Sequence, residues 1–309
     1  MNNIHQTTLV NPVKFVGTGL HSGANSEINI IPANENHGIV FKRIDIEKNN
    51  LIKANFKNVT STKLCTTLEN EFGVKVSTVE HLLAALYFAE IDNVLIEINN
   101  YEVPIMDGSA KSFLDVLKNV KIKTFTEKRI FLKVLEKIEL VKGGRSISLE
   151  PGDDTLEVEF QLNYENKIIG KQKNTINFIK DDLEDIISSR TFCLFNDIEK
   201  IKKLGLAKGG SLENAVVVDE NKILNENGLR NNKEFVNHKI LDLAGDFLLS
   251  GARILGKVKC VQGGHELTNL FLHKLFNEKN LLKIFEKEEI SLISKKIKSP
   301  KSIKLAVNA

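Results

Sequence analysis

Hydrophobic positions along the chain follow two rhythms, one of period two and one near 3.6, and they alternate in blocks. SEINIIP near residue 30, GIVFKRI near residue 40 and NVLIEI at 93–98 alternate apolar with polar and are bounded by Gly, Asn and Pro, which predicts strands. Between them Ser77–Phe88 carries Val79, Leu82, Leu83, Leu86 and Tyr87 at helical spacing, and Asp107-Gly108-Ser109 precedes a second helical stretch, SAKSFLDVLKNV. From Arg129 the order restarts. IFLKVLEKIELV, RSISLEP and DTLEVEFQL read as strands, INFIKDDLEDI as a short helix, and Glu234 to about Leu249 as a long one. The restart places a boundary in the polar stretch KTFTEK, giving an N-terminal domain over 1–126, a C-terminal domain over 127–285 and a tail over 286–309. Two halves of similar order predict an α+β, pseudo-duplicated architecture. The second half is interrupted over about 194–230 by a helix-like EKIKKLGL, a Gly-rich KGGS and a strand-like NAVVVD, and an insertion of that length on a compact domain is usually functional. Five lysines and no acid from Lys295 onward predict a solvated terminus.

The long helix is the informative one. At about 100° per residue Val236, Ile240, Leu243 and Phe247 form one apolar stripe, while His238, Asp242 and Asp246 share a face well away from it. Leu241, Ala244, Leu248 and Leu249 make much of the remainder apolar, so the helix is expected to be buried and to take its charges inside. Buried charge is costly unless paired or bound to metal. A local ladder, with Lys239 on Asp242 and the two acids shielding His238, is the simpler reading of HxxxD alone. His81 changes that weighing: from the first turn of the other buried helix it would join His238 and Asp242 in a site of two imidazoles and one carboxylate, the composition of catalytic zinc. Glu80 is open to two readings, as the last member of an S-x-x-E capping box begun by Ser77, or as a base beside the metal. His265 after Gly263-Gly264 and Thr191 in SRTFC carry no signal by spacing.

Composition narrows the classes. A chain of 309 residues with 27% charged and 42% hydrophobic residues is globular, and 43 − 40 = +3 excludes a strongly basic nucleic-acid binder. Cys65, Cys193 and Cys260 form no CxxC and are expected to be reduced thiols of a cytoplasmic protein. No basic, apolar leader opens the chain, and no run approaches the roughly 18 apolar residues of a membrane span. Two phosphate-loop motifs fail: in Gly205–Ser211 the lysine precedes the glycine pair, and Gly17–Gly23 has Ser where GxGxxG needs its third Gly. Both loops read as tight turns or places of close backbone approach.

GTGLHSG (17–23), STVEHLLAAL (77–86), EVPIMDGSAKSF (102–113), SRTFC (189–193), GLAKGGSLENAVV (205–217), NENGLRNNKEFVNHKILDLAGD (225–246) and GGHELTN (263–269) occur in order and together resemble the LpxC family. These are the UDP-3-O-acyl-N-acetylglucosamine deacetylases of lipid A biosynthesis. The resemblance implies two similar α+β domains, each a mostly antiparallel sheet plus two helices, packed as a sheet–helix–helix–sheet sandwich with an insert in each. It implies Zn2+ on His81, His238 and Asp242, a donor set that also suits Fe2+. It further implies Glu80 as general base, His265 as second acid/base group held by Asp246, Thr191 at the oxyanion, and Lys239 near substrate or developing charge. The second insert would form a passage for the acyl chain, with Phe192, Phe195, Ile198, Leu206, Gly210, Ser211, Ala215 and Val217 as its wall. The implied partner is the small-molecule UDP-sugar, with no nucleic acid, at most peripheral membrane contact and a monomeric enzyme. The rival readings are a zinc amidohydrolase acting on another N-acetylated sugar and a non-catalytic binding protein of the same fold.

Overall fold

The structure, a computed structural model, describes residues 4–285, so the tail expected over 286–309 lies outside the described residues. Six helices punctuate it: α1 (Glu80–Phe88), α2 (Lys111–Lys118), α3 (Glu184–Ile187), α4 (Phe195–Lys203), α5 (Glu234–Leu248) and α6 (His265–Asn277). The alternating run near residue 30 is the strand Asn25–Pro32, whose Ser26, Ile28 and Ile30 turn inward. It pairs antiparallel with Val13–Thr18 and Val94–Ile98, and Ile39–Arg43 and Leu51–Lys53 complete a five-stranded sheet in which the pairing of Ile39–Arg43 with Val94–Ile98 is parallel.

A second sheet of seven strands is built around Arg253–Val261. That strand runs antiparallel to Arg145–Glu150 and parallel to Phe131–Val134 and Leu156–Asn163, with Ile138–Lys142, Lys171–Asn177 and Leu282–Phe285 outside them. On the first sheet lies α2, where Phe113 meets Phe15 edge to face at 5.0 Å. Against the second lie α5 and α6, and α1 packs on α5 in the middle, so the fold is mixed α+β. One apolar core runs from Ile28 and Ile96 through Leu83 and Ala244 to Val158 and Phe160. The helices approach so closely that a Cβ on Gly245 would lie 2.1 Å from the Glu80 carbonyl oxygen. Among the described residues no helix is long and apolar enough to cross a membrane.

Each half carries a small extra sheet. Val59–Ser61, Thr67–Glu69 and Lys75–Val76 form the first; Phe192–Leu194, Val216–Asp219 and Lys222–Ile223, with α4, form the second. The polar stretch between the halves is itself the strand Ile122–Lys128, paired with His5–Leu9.

Three element readings are corrected. α1 begins at Glu80 rather than Ser77, because Thr78 adopts φ +56° and Ser77 Oγ donates to the Tyr101 carbonyl. IFLKVLEKIELV breaks into Phe131–Val134 and Ile138–Lys142 because its two ends pair with different partners. In INFIKDDLEDI helix begins only at Glu184 and runs on to Ile187; the Asn177 side chain accepts from the amides of Ile179 and Lys180, a local turn that competes with helix.

Candidate active site

The contact of α1 with α5 brings His81 from the first turn of one helix against His238 and Asp242, one turn apart on the other. Their ligand atoms all lie within 4.8 Å of one another, and all three residues are buried. His81 Nε2 is 3.5 Å and His238 Nε2 3.4 Å from Asp242 Oδ1. The imidazoles meet edge to face at 5.0 Å. His238 Nδ1 lies 3.1 Å from the Ser189 carbonyl, which assigns the proton to Nδ1 and leaves the Nε2 lone pair facing the carboxylate. Burial lowers the His238 imidazole to about 3, so it is neutral and ligand-ready. Burial works against the Asp242 charge, but the basic groups around it, with the Lys239 ammonium on Oδ2, outweigh burial and hold the carboxyl well below its ordinary range. Asp242 Oδ1 is nonetheless buried with no hydrogen-bond partner. An orphaned carboxylate oxygen between two imidazole nitrogens is a costly arrangement without a cation, and the donor set fits a divalent one. Lys239 Nζ sits on the other oxygen, 2.8 Å from Asp242 Oδ2 and 5.5 Å from the centre of the Phe192 ring.

Beside these three lie Glu80 and His265. His265, at the start of α6, places Nδ1 2.8 Å from Asp246 Oδ2 and Nε2 3.7 Å from Glu80 Oε1. Burial disfavours its charge, yet Asp246 and Glu80 outweigh burial and raise it to about 10. Burial pushes the Glu80 carboxyl upward, against the pull of the His265 charge, which makes its carboxylate a stronger base. The capping-box reading of Glu80 is corrected: its Oε2 accepts from the Thr66 amide at 3.0 Å, while α1 has no side-chain cap.

The family model for UDP-3-O-acyl N-acetylglycosamine deacetylase, LpxC, matches residues 6–277. The chain belongs to the LpxC family. It is 41% identical over 275 residues to the UDP-3-O-acyl-N-acetylglucosamine deacetylase of Pseudoalteromonas translucida (strain TAC 125), covering 88% of this chain and 90% of the relative. The protein of that name from Geotalea uraniireducens (strain Rf4) is 41% identical over 282 residues, 91% of each chain. The one from Nautilia profundicola is 39% identical over 292 residues, covering 94% of this chain and 98% of the relative.

In this LpxC-family chain the second insert encloses a cavity of about 330 Å³. Of the wall residues expected from sequence, Phe192, Phe195, Ile198, Gly210, Ser211, Ala215 and Val217 line it, as does Thr191. Leu206 does not. The chain turns at Gly205 (φ +77°) and Ala207 (φ +54°), which puts Ala207 on the wall instead. Thr191 is fixed through its backbone, donating its amide to Gly108 O at 2.8 Å and accepting from the Val216 amide at 2.8 Å. On the other side His265 borders an open hollow shared with Lys63, Arg145 and Glu266.

The two glycine loops that failed as phosphate loops meet each other. Gly209 N donates to Leu20 O at 3.0 Å, and a Cβ on Gly209 would lie 2.3 Å from Gly19 O. His21 lines the cavity, accepts from the Ala207 amide through Nδ1 at 3.4 Å, and has a buried Nε2 without a partner. His21, Thr66 and Gly245 were not singled out as site residues from sequence: each matters through a partner 80 or more positions away, which spacing does not display.

Proposed function

We propose that this chain hydrolyses the N-acetyl group of UDP-3-O-acyl-N-acetylglucosamine, releasing acetate and UDP-3-O-acyl-glucosamine in lipid A biosynthesis. The observation that carries the reading is the orphaned Asp242 Oδ1 facing two imidazole nitrogens, with Glu80 and His265 alongside. His81, His238 and Asp242 would hold one divalent ion, for which we propose zinc, with iron(II) suited to the same donors. Such an ion supplies Lewis acidity at the scissile amide.

The chain's own groups do the rest. Glu80 accepts a proton from the attacking water as its oxygen adds to the N-acetyl carbonyl, and its raised affinity for protons suits that task. The Thr191 hydroxyl donates to the oxygen on which charge develops, and Lys239, held against Asp242, adds a cation near it. His265, kept as imidazolium by Asp246, protonates the leaving amine from Nε2 as the C–N bond breaks. The insert cavity takes the acyl chain, and the hollow bordered by Lys63, Arg145 and His265 takes the polar half. We assign 1–126 and 127–285 as the two domains that bring Glu80 and His81 to His238, Asp242 and His265. We place the enzyme in the cytoplasm as a monomer with at most peripheral membrane contact; three unpaired thiols fit a reducing compartment.

Acetate release from the acylated UDP-sugar and from UDP-N-acetylglucosamine tests the reading. Turnover of the first with little of the second is expected. Equal rates on both would remove the acyl-chain assignment, and no release from either would remove the reaction.

A further inference from the structure

The two acid–base groups come from different parts of the fold. Glu80 opens α1, and Asp246, which holds His265, lies near the end of α5. Both carboxylates nevertheless converge on one residue, Thr66, between the strands Val59–Ser61 and Thr67–Glu69 of the first small extra sheet. The Thr66 amide donates to Glu80 Oε2 at 3.0 Å, and its hydroxyl donates to Asp246 Oδ1 at 2.7 Å. The remaining oxygens face one imidazole: Glu80 Oε1 is 3.7 Å from His265 Nε2, and Asp246 Oδ2 is 2.8 Å from His265 Nδ1. Thr66, Glu80, His265 and Asp246 thus close a ring. Thr66 is 1% exposed, and its carbonyl accepts from the Val79 amide at 3.4 Å, just before α1, so it is fixed to the helix that carries the base.

We infer that Thr66 is a positioning residue for the acid–base pair. Each carboxylate has one oxygen spent on Thr66, and that leaves the other aimed at His265. Without the hydroxyl, Asp246 keeps a buried oxygen with no donor and is free to rotate, and the imidazole it orients turns with it. The base stays in place, because the Thr66 amide is backbone and survives substitution. The loss therefore falls on the proton delivered by His265 rather than on substrate binding, which uses the insert cavity and the polar hollow. This inference rests on the deacetylase reading, and wild-type turnover in the same preparations separates the failure of one from the failure of the other.

Thr66→Val keeps the shape and removes the hydroxyl; Thr66→Ser keeps the hydroxyl. Full-length protein of each, and of Asp246→Asn with and without Thr66→Val, is assayed for kcat, KM, bound metal per chain and melting temperature. The expected result is a roughly 10–100-fold fall in kcat for Thr66→Val, with KM and metal content close to wild type, and a melting temperature lowered by only the few degrees that one unsatisfied buried oxygen costs, the fold being retained. Thr66→Ser regains most of the rate, and Thr66→Val adds nothing further once Asp246 is Asn. An unchanged kcat in Thr66→Val overturns the inference. So does a Thr66→Ser enzyme as slow as Thr66→Val, a full additional loss in the Asp246→Asn background, or a kcat loss matched by loss of metal or fold.

Discussion

Gly245 sits where α5 touches the first turn of α1, and replacing it by alanine sets two physical effects against each other. In an isolated helix Gly→Ala stabilises by about 1 kcal/mol. Here the added Cβ would lie 2.1 Å from the Glu80 carbonyl oxygen, 2.9 Å from its carbon and 3.1 Å from the Ala84 nitrogen. Ordinary contact begins near 3.4 Å, so the helices must part by 3.4 − 2.1 = 1.3 Å at that point. The atoms met are backbone and cannot swing aside. Overpacking of this kind costs about 1–3 kcal/mol, so the sign of the stability change reverses. The consequence for chemistry is larger. α1 carries Glu80 and His81, and α5 carries His238, Asp242 and Asp246, so the same displacement opens the ligand set and the acid–base pair together. A misplacement of about 1 Å is enough for roughly a 100-fold loss of rate, and metal–ligand distances tolerate about 0.2 Å. Urea unfolding, kcat and metal affinity by chelator competition on Gly245→Ala measure all three. A lower urea midpoint, a kcat down roughly 100-fold and weaker metal binding are expected. A variant as active as wild type and more stable would refute the helix-contact argument.

Other substitutions separate the remaining roles. Glu80→Gln should retain metal and lose about 10²–10⁴ in kcat, seen by elemental analysis and acetate release on one sample. Ala215→Phe, on the cavity wall, should raise KM for a long-chain substrate roughly 100-fold by displacing about four methylenes at about 0.8 kcal/mol each. It should leave a short-acyl analogue little affected in the same steady-state assay. Burial opposes ionisation of Asp107, but hydrogen bonds from Arg230 at 2.8 Å and from Ser109 hold it below the ordinary range. A depressed folded-state value stabilises above the unfolded value and is lost as pH falls through the folded one. Asp107→Asn should therefore lower the urea midpoint at pH 7, and the gap should close as pH is taken below the ordinary aspartate range.

What the sequence made legible is whatever repeats at a local period. The apolar stripe of α5 and the shared face of His238, Asp242 and Asp246 follow from helical spacing, and every residue of α5 except Lys239 is buried. His81 was within reach because a second buried helix had few other polar residues to contribute. The capping box misled because Ser77 and Glu80 have the right spacing, while a left-handed Thr78 between them, set by hydrogen bonds to the Glu102 region, prevents the helix from starting there. Leu206 is apolar and lies between two left-handed residues, Gly205 and Ala207, and it is Ala207 that lines the cavity, an outcome local spacing does not display. Thr66, Gly245 and the meeting of the two glycine loops are tertiary facts. A hydroxyl 180 positions from the carboxylate it holds leaves no mark on local pattern.

The central claim is that His81, His238 and Asp242 hold a metal on which deacetylation depends. The most direct test is bound metal per chain, by elemental analysis, on wild type and His81→Ala, with acetate release from the acylated UDP-sugar measured on the same samples. About one divalent ion per wild-type chain with activity, and both lost together in His81→Ala, is the expected result. Full metal content or undiminished acetate release in His81→Ala would contradict the account.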